Sequence, residues 1–260
     1  MSRVIAIANQ KGGVGKTTSA VNLAAGLADQ GKKVLVVDLD PQASLTLCMG
    51  YREPDKLDHS ITEVISAVVN DDELPEGFGV IHVRDNLDLL PSNINLSAAE
   101  VSLVNAMSRE LVLRTYMEQV RSQYDYVLID CMPSLGILTV NALACADSVL
   151  VPVQAAYLPV KGLQQLIKTI YTVRRLNNNL SIEGILFTMV DRRTVYAKEI
   201  VSEVNEVYGK SIPIFPIEIP MSVRASETSQ MAKTIYDYDP KRKAASAYSE
   251  LTREVLEPGC

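Results

Sequence analysis

The sequence predicts an α/β fold, a single doubly wound and mostly parallel sheet with helices on both faces. Short continuous apolar runs, typical of strands that are buried on both sides, alternate with longer amphipathic patterns of helical period. That alternation is characteristic of parallel sheets built from crossover connections. The chain of 260 residues has no linker rich in proline, glycine or serine and no internal repeat. We therefore predict one domain over residues 1–260.

The predicted elements follow the chain in order. The apolar runs that predict strands are Val4–Ala8, Val34–Val37, Leu87–Leu90, Tyr126–Ile129, Ser148–Val153, Gly184–Thr188 and Ile212–Phe215. The segments that predict helices are Thr17–Asp29, Ile61–Val69, Glu110–Gln123, Leu138–Ala146, Val160–Asn177, Val195–Tyr208 and Arg242–Leu256. A further helix is expected to begin at Ser97 as N-cap, with Glu100 at the capping-box position. Gly31 is expected to end the first helix, and residues 51–79 are expected to form an irregular surface excursion.

Composition narrows the class of protein. No apolar run approaches the roughly 18 residues of a membrane span, and the first strand follows Met-Ser-Arg directly, which argues against a signal peptide. The four cysteines lack metal-ligand spacing, so a cytoplasmic protein with reduced thiols is expected. The net charge of −6 argues against indiscriminate coating of nucleic acid. Residues 1–160 hold 11 basic and 19 acidic residues and residues 161–260 hold 14 and 12, so any basic face should lie in the C-terminal part.

Between the first strand and the first helix lies a glycine-rich loop, Asn9–Thr18, with the sequence NQKGGVGKTT. Strand, glycine loop and helix form the context of a phosphate-binding loop, where backbone N–H groups and the helix dipole bind phosphate. Lys16 is expected to reach the β- and γ-phosphates, and the Thr17 hydroxyl to bind Mg²⁺. The residues expected to contact the nucleotide here are Lys11, Gly12, Gly13, Val14, Gly15, Lys16, Thr17 and Thr18.

Acidic residues follow two later strands, at the sheet edge where ligands of parallel sheets bind. Asp38 and Asp40 are two residues apart, so in extended chain they are expected to point the same way. One would organise the metal shell and the other would position a water. Asp130 closes the run Val127-Leu128-Ile129, which is the Walker B arrangement for Mg²⁺, and Gly136 follows as a place where backbone can approach a γ-phosphate. The expected Mg²⁺ group is Thr17, Asp38, Asp40 and Asp130.

Together these motifs resemble the ParA/Soj family within the ParA/MinD superfamily of P-loop ATPases. The standard loop has glycine where this chain has Gln10, and the extra Lys11 matches the deviant Walker A box of the family. The resemblance implies ATP and Mg²⁺ as cofactors, weak ATPase activity with Lys11, Lys16 and Asp40 as catalytic residues, and Lys11 acting on the nucleotide of a partner subunit. The segment Asp130–Gly136 corresponds to the second switch of the family and departs from it, because Met132 replaces a proline.

The same resemblance assigns two further regions. It places Thr188, Pro220 and Met221 beside the adenine, although ordinary strand-end packing explains them equally well. It also implies non-specific contacts with the DNA backbone, which need charge and geometry but no base readout. The residues expected to make them are Arg192, Arg193, Arg224, Lys241 and Arg242.

The function implied is an ATP-dependent homodimer that binds DNA and partitions a chromosome, plasmid or mobile element with a ParB-like partner. Such a protein would be cytoplasmic and nucleoid-associated when bound to ATP, without membrane contact. One alternative is a MinD-like membrane switch, which needs a basic amphipathic C-terminal helix; the tail Leu251–Cys260 is short, acidic and closed by Pro258-Gly259. Others are a reductase like the nitrogenase iron protein and a metabolic ligase or kinase with its own substrate pocket.

Overall fold

A computed structural model describes residues 2–155 and 159–257, with all their side chains except those of residues 159–161, 226, 229 and 230. Within these residues one sheet of eight strands has the order β3-β4-β2-β5-β1-β6-β7-β8. The strands are β1 Arg3–Ile7, β2 Val34–Leu39, β3 Ile81–Arg84, β4 Leu87–Leu90, β5 Tyr126–Cys131, β6 Ser148–Gln154, β7 Ser181–Val190 and β8 Ile214–Pro220. All neighbours are parallel except β3 and β4, which are antiparallel. The predicted fold class is confirmed.

The helices pack on both faces of this sheet. They are α1 Lys16–Asp29, α2 Ser44–Cys48, α3 Ile61–Asn70, α4 Leu96–Leu103, α5 Val112–Val120, α6 Ile137–Cys145, α7 Pro159–Val173, α8 Val195–Tyr208, α9 Val223–Met231, α10 Ile235–Tyr238 and α11 Lys243–Leu256. The edge strand β3 and the short helices α2, α9 and α10 have no counterpart among the sequence predictions. β3, α2 and α10 are too short to show a period of their own, and the nine residues of α9 are mostly polar.

The strand alternation explains the two hydrophobic cores. Val4 and Ala6 of β1 belong to a core that includes residues of α3 to α8, whereas Ile5 and Ile7 belong to a core shared with α1 and α11. Successive side chains of a strand point to opposite faces, so a strand covered on both sides must be apolar at every position. That requirement makes β1 a continuous apolar run in the sequence.

The capping box lies at a different helix from the one expected. Ser97 was expected to cap α4, but the N-cap there is Asn95, because Asn93 accepts the Asn95 amide with its side chain and starts the turn earlier. The reciprocal capping pair is instead Ser60 and Glu63 at the start of α3. Gly31 does follow the end of α1 in the left-handed conformation, with φ 74°, as predicted.

The sheet order gathers the polar strand ends in one place. Ile7 of β1 pairs with Asp130 of β5, and Asp130 pairs on its other side with Asp38 of β2. The chain leaves β1 toward β2 on one side, and β6 lies on the other side of β1, so the strand order reverses at the glycine loop. Ligands of open α/β sheets bind at such a point.

Two further observations concern membranes and the C-terminus. Among the residues the structure describes, no helix is long and apolar enough to cross a membrane. Pro258 and Gly259, which were expected to close the C-terminal tail, lie outside the described residues, as does Cys260.

Candidate nucleotide site

The glycine loop is fixed by side chains from neighbouring strands. Asn9, just beyond β1, donates its amide to the Pro152 carbonyl of β6 at 2.7 Å and accepts the Lys11 amide at 3.0 Å. Thr188 of β7 donates its hydroxyl to the Val14 carbonyl at 2.8 Å. Gly13 and Gly15 have φ of 71° and 84°, a conformation that suits glycine. The loop therefore has a defined shape with its backbone held for anion binding.

Lys16 is the buried cation of this loop. Lys16 is the first residue of α1 and is 7% exposed. Its ammonium donates a hydrogen bond to the Lys11 carbonyl at 3.0 Å. Burial lowers the pKa of Lys16, and the Asp130 carboxylate is the strongest influence opposing that shift. A bound phosphate would add a further anionic partner and raise the pKa of Lys16 again.

Asp130 and Thr17 form the arrangement expected of a Mg²⁺ site. The Thr17 hydroxyl lies close to the Asp130 carboxylate, which is 1% exposed, and it lowers the pKa of that group. The Asp130 Oδ1 atom has no hydrogen-bond partner among the described residues. Burial raises the pKa of Asp130, and the neighbouring Asp38 raises it further. A hydroxyl and an unsatisfied carboxylate oxygen match the oxygen ligands that Mg²⁺ prefers, so these residues fit the ion.

Asp38 and Asp40 play different structural parts. Asp38 is fully buried, and its Oδ2 accepts both the amide and the hydroxyl of Thr46, at 2.8 and 2.7 Å. Burial raises the pKa of Asp38 to about 7. Asp40 is half-buried, accepts the Gln42 amide at 2.9 Å and lines the open cavity above the loop. The two carboxylates were expected to point the same way, but only Asp40 faces this cavity; the metal role of Asp38 stays a prediction.

The cavity beside the glycine loop has a volume of about 540 Å³. Its walls are Gly12, Gly13, Gly15, Lys16, Thr17, Thr18, Asp40, Ser44, Leu47, Cys48, Arg52, Pro133 and Met189. The first seven of these were predicted. The remaining six were missed. Pro133 belongs to the second switch but was not assigned to the site, and the others come from α2, the loop after it and β7, where no sequence motif marks them.

The second switch loop is stabilised by its own hydrogen bonds. Ser134 donates its amide to the Met132 carbonyl at 2.8 Å, and the Ser134 carbonyl accepts the Thr139 hydroxyl at 2.9 Å. Met132 is partly buried against the core, so its packing helps to stabilise the loop at the position where the family has a proline. Gly136 lines a separate cavity of about 600 Å³, between α6 and α7. Its expected approach to a γ-phosphate therefore stays a prediction.

The residues expected beside adenine are not all in one place. Thr188 lies under the glycine loop, where its Cβ is 3.7 Å from the position of a Cβ on Gly15. Pro220 and Met221 line a third cavity of about 800 Å³, beyond β7 and β8. Met189 lines the loop cavity and Val190 the third one. The two cavities are therefore divided by adjacent residues of one strand.

The predicted DNA-contacting arginines are all engaged with carboxylates. Arg192 binds Glu218 through two hydrogen bonds of 2.5 and 2.6 Å. The other pairs are Arg193 with Asp191 at 2.7 Å, Arg224 with Glu227 at 3.3 Å and Arg242 with Asp239 at 3.9 Å. Lys241 is exposed and makes no ion pair with the residues that the structure describes. Exposed pairs of this kind contribute little to stability, so these arginines can exchange their carboxylate partners for another anion.

The structure brings several of these cations to one surface. Arg192, Arg193 and Lys243 line the cavity of about 800 Å³. Val223 lines it as well and is the neighbour of Arg224, whose guanidinium lies 3.2 Å from the Tyr238 hydroxyl. We call the group Arg192, Arg193, Arg224, Lys241 and Arg242 the arginine face; Arg192 and Arg193 share the wall of this cavity. Its four carboxylate partners leave it close to neutral.

A doubly wound sheet whose central strand ends in this lysine- and glycine-containing loop, with Asp130 on the neighbouring strand, defines a P-loop ATPase. A family model described as "AAA domain" matches residues 2–182. The sporulation initiation inhibitor protein Soj of Bacillus subtilis is 42% identical, with all of both chains covered. The chain belongs to the Soj/ParA family of partition ATPases.

Two more similarities bear on function. The chromosome partitioning protein ParA of Myxococcus xanthus is 42% identical over 99% of this chain and 89% of that protein. Among solved structures, cobyrinic acid a,c-diamide synthase from Mycobacterium smegmatis, with bound ATP analogue and magnesium, is 35% identical with a TM-score of 0.85. That match covers 98% of this chain and 95% of the other.

Proposed function

We propose that this chain is an ATP-dependent dimerising switch that binds DNA non-specifically and partitions a chromosome, plasmid or mobile element. ATP and Mg²⁺ bind in the cavity of about 540 Å³ beside the glycine loop. One observation supports the ion most directly: the buried Oδ1 of Asp130 has no hydrogen-bond partner among the described residues, and the Thr17 hydroxyl lies beside the same carboxylate. The ATP analogue and magnesium in the mycobacterial relative support both cofactors.

The position of Lys11 is evidence in favour of the proposed dimer. Its backbone carbonyl accepts the Lys16 ammonium, while its own ammonium forms no ion pair within the described parts of the chain. Val101, Val104 and Met107 are 71%, 54% and 93% exposed, and such an apolar group near the second switch suits contact with a second subunit. Lys11 then neutralises the phosphates bound by the partner, where a basic group supplied in trans is worth about 10³–10⁵ in rate for related reactions.

The arginine face supports DNA binding in the dimer. One subunit offers cations that are largely balanced by carboxylates, so its affinity for phosphates is low. Two subunits engage the same duplex together, and the second contact is intramolecular, which multiplies the affinity. The nucleotide that controls dimerisation thereby controls DNA binding, in a cytoplasmic protein that associates with the nucleoid when it holds ATP.

Hydrolysis resets the switch. Asp40 lines the cavity, which supports a role in orienting the attacking water, and Lys16 would stabilise charge on the phosphates. Mg²⁺ would neutralise the β- and γ-phosphate oxygens. The reaction is slow in the isolated protein and is accelerated by a ParB-like partner, which the family membership supports.

A second candidate is an ATP-dependent amide-forming enzyme. The mycobacterial relative is a cobyrinic acid a,c-diamide synthase by name, and the cavity of about 800 Å³ holds arginines and a lysine able to bind a carboxylate substrate. The partition function is favoured because Lys11, which a ligase acting within one subunit does not require, stands in the loop.

One experiment separates the candidates. ATP hydrolysis is measured with random-sequence duplex DNA, with anionic vesicles, and with glutamine or ammonia plus corrinoid carboxylates. Stimulation by DNA alone, or retention of the ATP form on DNA, supports the switch. Amide formation coupled to hydrolysis would replace it, and vesicle binding would favour a MinD-like role.

A further inference from the structure

Arg52 lies at the wall of the nucleotide cavity, in the region where the sequence suggested no function. It follows α2 in a loop that starts with Gly50 at φ 101° and turns into a single helical turn at Pro54. Its side chain is exposed and lines the cavity together with Leu47 and Cys48 of α2. No P-loop, switch or adenine motif includes this position.

The loop around Arg52 is anchored on both sides. The Tyr51 amide donates to the Thr46 carbonyl at 3.3 Å, and the Tyr51 hydroxyl donates to the His82 carbonyl at 3.2 Å. On the other side, the Asp55 carboxylate accepts the Ile94 amide at 3.1 Å. Arg52 is thus carried at a fixed place, which reduces the entropy lost when its side chain binds a ligand.

The charges of the cavity wall explain what Arg52 can add. Among the described residues that line the cavity, Lys16 and Arg52 are the cations and Asp40 is the acid. Lys16 is already bonded to the Lys11 carbonyl and faces the buried Asp130. A triphosphate carries more negative charge than one lysine and one Mg²⁺ offset, and a guanidinium can bind phosphate oxygens in pairs.

We propose that Arg52 is a phosphate-binding residue of the nucleotide site, acting within its own subunit. Its guanidinium contacts the phosphates of ATP from the α2 side of the cavity, opposite the glycine loop. The inference rests on ATP binding in this cavity and is independent of DNA binding and of partition.

The test compares Arg52→Ala and Arg52→Lys with a matched control, Lys56→Ala. Lys56 belongs to the same loop but pairs with Glu53 at 2.5 Å and does not line the cavity. Calorimetry measures the dissociation constants of Mg·ATP and Mg·tripolyphosphate, which has the phosphates without sugar or base. Thermal unfolding of each variant verifies that the fold is retained.

Arg52→Ala is expected to weaken both ligands about tenfold, as loss of a charge-assisted bidentate contact does, with part of that recovered in Arg52→Lys. Lys56→Ala is expected to stay within about twofold of the unmodified protein. Equal binding by Arg52→Ala and the unmodified protein would overturn the inference, as would a loss for ATP with none for tripolyphosphate. Absence of ATP binding in the unmodified protein would instead refute the proposed function.

Discussion

The Asp38 carboxylate accepts two hydrogen bonds from one residue, Thr46, through its amide at 2.8 Å and its hydroxyl at 2.7 Å. The Thr46 hydroxyl in turn accepts the Ser92 amide at 3.0 Å. These bonds tie α2 to the end of β2, directly beneath the cavity that Asp40 and Ser44 line. Asp38 therefore positions one wall of the nucleotide site from below.

Thr46→Val is expected to lower the free energy of unfolding by about 3 kcal/mol, because it removes one of the two hydrogen bonds to the buried Asp38 Oδ2 and leaves the Ser92 amide without a partner. Thr46→Ser keeps the hydroxyl and is expected to lose about 1 kcal/mol, from the missing methyl group. Urea denaturation followed by circular dichroism measures both. An equal loss in the two variants would show that these hydrogen bonds do not stabilise α2.

Much of the fold was predictable because its strands are buried on both sides. The predicted strand Val34–Val37 lies within the observed β2, and the predicted strand Leu87–Leu90 coincides with β4. The predicted strand ended at Val37, whereas β2 continues through Asp38 to Leu39. This extension was missed because a buried Asp38 side chain needs a hydrogen-bond donor, and that donor is Thr46, eight residues later. The capping box was assigned to Ser97 because the same spacing occurs there. The start of α4 lies earlier because the Asn93 side chain, which also accepts the Thr62 hydroxyl of α3, accepts the Asn95 amide.

Asp40→Asn is expected to slow ATP hydrolysis about 100-fold, since it removes the carboxylate that we propose positions the attacking water. ATP affinity should change by less than about threefold, because the phosphates bind chiefly to the glycine loop. Asp58→Asn, an exposed change of the same kind, is the control. Single-turnover hydrolysis and nucleotide titration provide the two measurements, and a variant that hydrolyses ATP at the normal rate would remove Asp40 from the mechanism.

Lys11→Ala is expected to abolish dimerisation in ATP while the variant still binds the nucleotide, because Lys16 and the backbone of the loop stay in place. Light scattering with ATP and with ADP measures the mass. Lys210→Ala, which removes an exposed lysine beyond α8, is the control. If Lys11→Ala forms dimers as readily as the control, the lysine does not act across the interface.

Glu218→Gln is expected to increase DNA affinity, because it releases Arg192 from a bidentate ion pair. One added phosphate contact should steepen the dependence of log affinity on log salt by about 0.9. Glu118→Gln makes the same change of charge on α5, where Glu118 pairs with Arg114, and it is the matched control. Fluorescence anisotropy over a salt series gives the slopes; equal slopes in both variants would place the DNA contacts elsewhere.

As with the fold, some residues of the candidate site could be predicted from the sequence and others could not. Gly12 to Thr18 and Asp40 were predictable from local motifs, and they line one cavity in the structure, with Val14 buried beneath it. Arg52 and Met189 reach that cavity only through the packing of α2 and β7, and no short-range pattern records such packing. The excess of basic residues in the C-terminal part was predictable from the sequence. The ion pairs of the arginine face with carboxylates were not, because they depend on side-chain positions that the sequence does not specify.

Binding to a random-sequence duplex at low salt, with ATP, with ADP and without nucleotide, tests the central claim most directly. Arg224→Ala is compared with Arg114→Ala, which removes an arginine from α5 outside the arginine face. The account predicts salt-sensitive binding in ATP alone, weakened several-fold by Arg224→Ala and unaffected by Arg114→Ala. Intact ATP binding without DNA binding under any nucleotide condition would contradict it.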